Sequence, residues 1–203
     1  MKKTYLVIGL LFSILFLSGC ATTPSDPTPE KRQAEITKFK ALANNPAVSP
    51  EDAAVLSYSL ADWAYKGWGT KDGKKDKQEY YFWLNESVNK GSIHAAVELG
   101  GAYINTYVTG KYEPDRVIEL ITPAYNRYLS GVMDRYLTKD VMSQTIAEGL
   151  TFRGEAYHLK GNDLDARKDF CRAIALDPKN IVPERQLIGG YGRANKCDEY
   201  LRM

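Results

Sequence analysis

A chain of 203 residues, 44 % hydrophobic and 26 % charged, suits one compact domain. Its formal net charge of +2 comes from 27 Lys+Arg against 25 Asp+Glu. The surplus is Lys2 and Lys3: without residues 1–19 the count falls from 27 to 25 against 25, and the net charge is zero. No basic excess is left for nucleic acid, which demands a positive face.

At the amino terminus Lys2 and Lys3 precede an apolar run from Tyr5 to Phe16 and then Leu17-Ser18-Gly19-Cys20. A charged start, a short apolar core and small residues before a cut predict a secretory signal over 1–19. The run is too short for a transmembrane helix, which needs roughly 20 apolar residues. Leu17-Ser18-Gly19-Cys20 resembles the lipobox of bacterial lipoproteins. The resemblance implies cleavage before Cys20, lipidation of that cysteine and anchoring to a membrane through acyl chains. With Ala21 next, it further implies the outer membrane, facing the periplasm.

Residues 20–30 carry the lipidated cysteine and then Pro24, Pro27 and Pro29 among small polar residues, which predicts a flexible, extended linker. Such a tether reaches about 30 Å. The folded part is expected over 31–203. Within it, the basic run at 71–77 reads as a solvated loop.

The body carries helical punctuation and no convincing strand pattern. A helix near Glu30 to Ala43 comes first. Ser49-Pro50-Glu51-Asp52 combines a capping serine, a first-turn proline and acids at the positive dipole end. It predicts a helix running to about Lys66 and stopping at Gly67-Trp68-Gly69. Further helices are expected from about Asp76 to Lys90, Ser92 to Tyr107, Pro114 to Leu129 (kinked at Pro123), Thr138 to Lys160 and Asp163 to Leu176. A last stretch opens near Asn180 or Pro183, weakened by Gly189, Gly190 and Gly192.

Gly154, Tyr157, Gly161, Ala166, Phe170, Ala173 and Pro178 stand at spacings that resemble the tetratricopeptide repeat (TPR). Arg153 departs from that pattern, where leucine is usual. Upstream, Leu60-Ala61, Ala64, Gly67, Gly69, Trp83, Ser87, Val88 and Gly91 resemble the Sel-like repeat, and Ala95, Leu99, Gly100 and Tyr103 begin the next unit. The spacing from Gly100 to Gly154 calls for an insertion, placed around Gly131 to Lys139. The resemblance implies an all-α fold, a right-handed superhelical stack of helical hairpins (a TPR/Sel-like α-solenoid). The hairpins fall at about 50–91, 92–130 and 138–178, with a C-terminal cap over 180–203.

With Cys20 committed to lipid, Cys171 and Cys197 remain as an even pair in an oxidising compartment. A disulfide is expected, and two buried thiols are the competing reading. It would pin the last segment to the last hairpin. His94 and His158 lie too far apart in sequence, and the cysteines are too few, for zinc-ligand spacing. No nucleophile elbow, phosphate loop or zinc-helix motif is present. No catalytic residue, metal or cofactor is expected, and the reading is of a protein that is not an enzyme. An enzymatic alternative would rest on Glu155 and His158.

In these repeat families the first helix of each unit lines the concave face. The resemblance carries that face onto Tyr58, Asp62, Tyr65 and Lys66, then His94, Ile104 and Asn105, then Glu148, Thr151, Glu155 and His158. Such a mixed polar and aromatic surface suits a protein partner, although solvent-facing helix positions are polar in any case. Of the consecutive Tyr80, Tyr81, Phe82 and Trp83, one or two should reach the surface. The expected function is protein binding without catalysis. Lipoproteins so organised include immunity proteins that neutralise secreted effectors such as phospholipases, and adaptors for pilus, secretion or peptidoglycan machinery.

Overall fold

The computed structural model describes residues 28–70, 72–186 and 196–203. The signal segment, Cys20 with most of the linker, and Gly189, Gly190 and Gly192 lie outside the described residues. Among those described, all regular structure is helical: α1 (Pro29–Ala43), α2 (Pro50–Tyr65), α3 (Lys77–Asn89), α4 (Ile93–Ile104), α5 (Pro114–Leu129), α6 (Lys139–Leu159), α7 (Asp163–Leu176), α8 (Ile181–Gln186) and α9 (Cys197–Arg202). None of them is long and apolar enough to cross a membrane.

Most starts are fixed by a side chain that accepts one of the orphan amide protons of the first turn. Ser49 accepts from Asp52 N at 3.1 Å, Asp76 from Glu79 N at 2.9 Å and Ser92 from Ala95 N at 3.1 Å. Thr138 and Asn162 serve α6 and α7 in the same way. Glu113 makes no such bond, and α5 begins on Pro114, which has no amide proton to satisfy.

The ends of α2 to α6 share one geometry. After α6, Gly161 takes φ +76° while Gly161 N and Asn162 N bond back to His158 O and Tyr157 O, a Schellman closure. The same closure ends α4 earlier than the sequence suggests, at Ile104 instead of about Tyr107. There the left-handed residue is Thr106, at φ +64°. The expected kink at Pro123 is not a break: α5 is continuous through that residue, which lies on its exposed side.

Packing follows chain order. α2 pairs with α3, α4 with α5 and α6 with α7, and α3–α4, α5–α6 and α4–α6 contacts join successive hairpins. α1 covers α2 at one end, and α8 and α9 lie against α7 at the other. Leu60, Ala61, Trp83, Leu84, Ala95 and Leu99 form the core between the first two hairpins. Met142, Ile146, Leu150 and Ala173 join Ile93 and Ala96 in the next. Small residues permit close approach: a Cβ on Gly154 would stand 2.6 Å from Phe170 Cε1.

The excess length expected in the middle of the chain has two parts. One is the loop 130–138; the other is about two extra turns at the start of α6, where Gly154 lies farther from its helix start than Gly100 does. The disulfide is formed between Cys171 of α7 and Cys197 of α9, with Cα atoms 5.3 Å apart. Tyr200 packs beside it with Ala166 and Phe170.

Candidate functional site

The first helices of the three hairpins meet on one face. Tyr58 of α2 donates to Glu98 Oε2 of α4 at 2.7 Å, and Tyr80 of α3 donates to Glu98 Oε1 at 2.6 Å. His94, one turn before Glu98, places Nε2 2.9 Å from the Tyr58 oxygen. The single Tyr58 hydroxyl proton goes to Glu98, so the hydrogen-bond network assigns His94 Nε2–H as donor to that oxygen. His94 Nδ1 is buried with no hydrogen-bond partner.

Loop 130–138 completes the cluster. Asp134 accepts from Ile93 N at 3.1 Å, His94 N at 2.8 Å and the Ser92 hydroxyl at 3.0 Å, placing a carboxylate at the positive end of α4. Tyr136 then stacks on Tyr58 with centroids 5.9 Å apart. Arg135 reaches Asp52 of α2 at 3.2 Å. The insertion thus ties the first hairpin to the second.

Burial pushes the Tyr58 and Tyr80 phenols well above the usual range, and the charge of Glu98 and its hydrogen bonds push the same way. Tyr136 is raised by burial, with the Ser92 hydrogen bond opposing and Asp134 adding. Glu148 of α6 faces His94 and Glu98 across the helix pair. The protein around its carboxyl raises its pKa, His94 works against the shift, and Glu98 adds to it.

Of the residues placed on this face by the sequence, Tyr58, His94 and Glu148 come together. Asp62 and Lys66 pair with each other at 2.6 Å, one turn apart at the surface. Tyr65 is exposed, packs on Tyr80 at 5.4 Å and carries the Lys75 ammonium 3.6 Å above its ring. Ile104 is a correction: it is 3 % exposed and packs with Val97, Val117 and Ile121, because its side of α4 turns toward α5. Thr151 is also buried, its hydroxyl bonded to Ala147 O of its own helix. Asn105 caps the end of α4 through Gly101 O.

Glu155 and His158 are not joined. Glu155 accepts from Gln186 of α8 at 3.0 Å and is raised by burial, with that hydrogen bond opposing. His158 Nδ1 lies 2.8 Å from Asp163 at the α6–α7 turn. Among the consecutive aromatics Phe82 is the one most exposed, at 54 %, and Trp83 is buried.

Glu98, Tyr136 and Asp134 complete the cluster without having been singled out from sequence, and Tyr80, expected only as one of a run of aromatics, joins them. Only Glu98 carried a readable signal, since it follows His94 by four residues and so shares its helical face. Tyr136 and Asp134 come from an insertion whose path no periodicity encodes.

Beyond the cluster, α6 and the stretch 177–182 enclose an open groove, with Val141, Thr145, Glu148 and Phe152 on one wall and Asp177 and Val182 on the other. Among the described residues no group of three or more His, Cys, Asp or Glu side chains is arranged to hold a metal. The arrangement offers carboxylates, phenol rings and apolar walls, which suits recognition of a cationic or amphipathic group. No protein-family profile, curated protein or solved structure matches the chain.

Proposed function

We propose that the chain is a non-enzymatic, lipid-anchored protein of the outer membrane. In this reading it faces the periplasm and binds another protein through a right-handed TPR/Sel-like stack of helical hairpins. One observation carries the reading: Tyr58, His94 and Glu98, and Glu148 come from α2, α4 and α6 and share one continuous face. Three successive first helices pooling side chains is the arrangement by which a helical array recognises an extended partner. The nearest-neighbour packing of the hairpins supports the superhelical stack. The Cys171–Cys197 bond suits an oxidising compartment, and the lipobox-like Cys20 supplies the anchor.

The partner we infer is a secreted toxic effector, such as a phospholipase, which the chain neutralises as an immunity protein. The separate engagements of Glu155 with Gln186 and His158 with Asp163 favour recognition over acid–base catalysis. Deleting the gene and challenging the cells with siblings that carry the adjacent effector tests the reading. Loss of resistance, restored by the intact chain, is the expected result. Full resistance, accompanied by a pilus, secretion or cell-shape defect without any toxin, would point to an envelope-assembly adaptor instead.

A further inference from the structure

The groove beside α6 carries an electrostatic imbalance. Glu148 makes no hydrogen bond and no ion pair among the described residues, though it lies within the field of Glu98. Glu98 is hydrogen-bonded by two phenols, and its nearest basic nitrogen is His94 Nε2 at 3.8 Å. On the facing wall the Asp177 carboxylate accepts, among the described residues, from the backbone N–H of Lys179 at 3.2 Å. Among the described residues no lysine or arginine lines the groove. Glu148 is exposed along the groove and so open to a partner, and the protein around its carboxyl raises its pKa.

The walls add a second requirement. Val141 and Val182 are both apolar residues left exposed, and the half-buried Phe152, which packs on the core of Val97 and Ile121, lines the groove with them. A long cationic side chain satisfies both demands at once, because its methylene stem lies along apolar surface while its head stays with the charge. Phosphate groups, nucleic acid and anionic lipid would be repelled by the same carboxylates.

Resting on the protein-binding reading above, we propose that this groove docks a partner-protein segment carrying an arginine or lysine beside an apolar residue. The cationic head meets Glu148, with Asp177 opposite, and the stem and apolar neighbour lie on Val141, Phe152 and Val182.

The test uses the full chain in neutral detergent and three short labelled peptides. One alternates leucine and arginine, one replaces arginine with citrulline, and one replaces it with glutamate. The arginine peptide should bind best, with affinity falling as salt rises. Glu148→Gln should weaken it about tenfold and Glu148→Gln with Asp177→Asn further. Glu119→Gln, on α5 and paired with Arg116 at 2.5 Å, should leave it unchanged. Equal binding of the citrulline peptide, preference for the glutamate peptide, no binding of the arginine peptide, or indifference to Glu148→Gln would each overturn the proposal. The assay needs neither the anchor nor the natural partner, so its failure would leave the gene-deletion result, and the wider reading, standing or falling separately.

Discussion

Arg153 and Asp169 join the two helices of the last hairpin from the inside. Arg153 Nε lies 2.6 Å from Asp169 Oδ2 and Nη2 lies 2.9 Å from Oδ1, with the residues 5 % and 1 % exposed. Thr122 takes a further guanidinium proton at 3.1 Å, Arg172 adds a second cation at 2.9 Å, and the Tyr125 ring centroid lies 5.4 Å away. Here the chain departs from the repeat pattern, with an arginine where leucine is usual. The geometry explains why that is tolerated: both charges are paired and their hydrogen-bonding capacity is largely used. Removing one partner strands the other without water. Asp169→Ala or Arg153→Ala should therefore cost about 3–5 kcal/mol in urea unfolding, and the double change to leucine much less. A double-variant loss equal to the sum of the two single losses would show that the two residues act independently.

Glu148 yields a prediction of opposite sign. Its folded pKa is raised, so the protonated form is favoured in the folded chain. The associated stability is complete below the unfolded carboxyl value of about 4.3 and is lost as pH climbs through the folded value. Glu148→Gln removes that loss. Because Glu148 is exposed and solvent screens the effect, the variant should melt only slightly higher than the native chain at pH 7 and at the same temperature near pH 3.

Tyr58 and Tyr80 govern the alkaline side. Both phenols are held above the usual value by burial and by Glu98, so their stability is intact below about pH 10 and is lost as pH rises beyond it. Alkaline unfolding followed by tyrosinate absorbance should show the tyrosines ionising together with loss of helicity. Tyr58→Phe with Tyr80→Phe should flatten that pH dependence, at a cost of about 1 kcal/mol per lost hydrogen bond at neutral pH.

Thr106 supplies a prediction about the backbone. It takes φ +64° at the end of α4, where Gly161 serves the equivalent turn after α6. A left-handed conformation costs an L-residue about 1–2 kcal/mol, partly offset by the greater unfolded entropy of glycine. Thr106→Gly should thus stabilise by roughly 0.5–1 kcal/mol in thermal unfolding, since the closing bonds to Ala102 O and Tyr103 O use only backbone.

The helices were legible because their punctuation is local. Ser49-Pro50 and the turn at Gly161 fix their elements within a few residues. Small residues such as Gly154 and Ala166 also announced where helices approach, since the reason for a missing side chain is the ring of Phe170 beside it. The candidate site was only partly legible. Helical phase placed Tyr58, His94 and Glu148 on one face, but the same count carried Ile104 there as well. The rotation of α4 against α5, which buries Ile104, is a tertiary outcome. Asp134 and Tyr136 were out of reach for another reason: they lie 40 and 78 residues from His94 and Tyr58, counting along the chain, and meet them only because an irregular loop folds back.

The Cys171–Cys197 bond secures the other end of the molecule. α9 spans Cys197–Arg202, far below the length at which a helix is stable alone in water. Its anchorage is Tyr200, packed with Ala166 and Phe170 under the Arg167 guanidinium at 5.6 Å, together with the disulfide. Opening a bond with a sequence separation of 26 restores chain entropy worth about 3 kcal/mol to the unfolded state. Cys171→Ser with Cys197→Ser should lower global stability by that order. It should also act locally, because one buried ring is too little to hold a six-residue helix. Hydrogen exchange should show the amides of α9 losing protection while those of α6 and α7 keep theirs. If α9 stays protected in the variant, noncovalent packing alone holds the cap; if α7 loses protection as well, the bond supports the whole last hairpin.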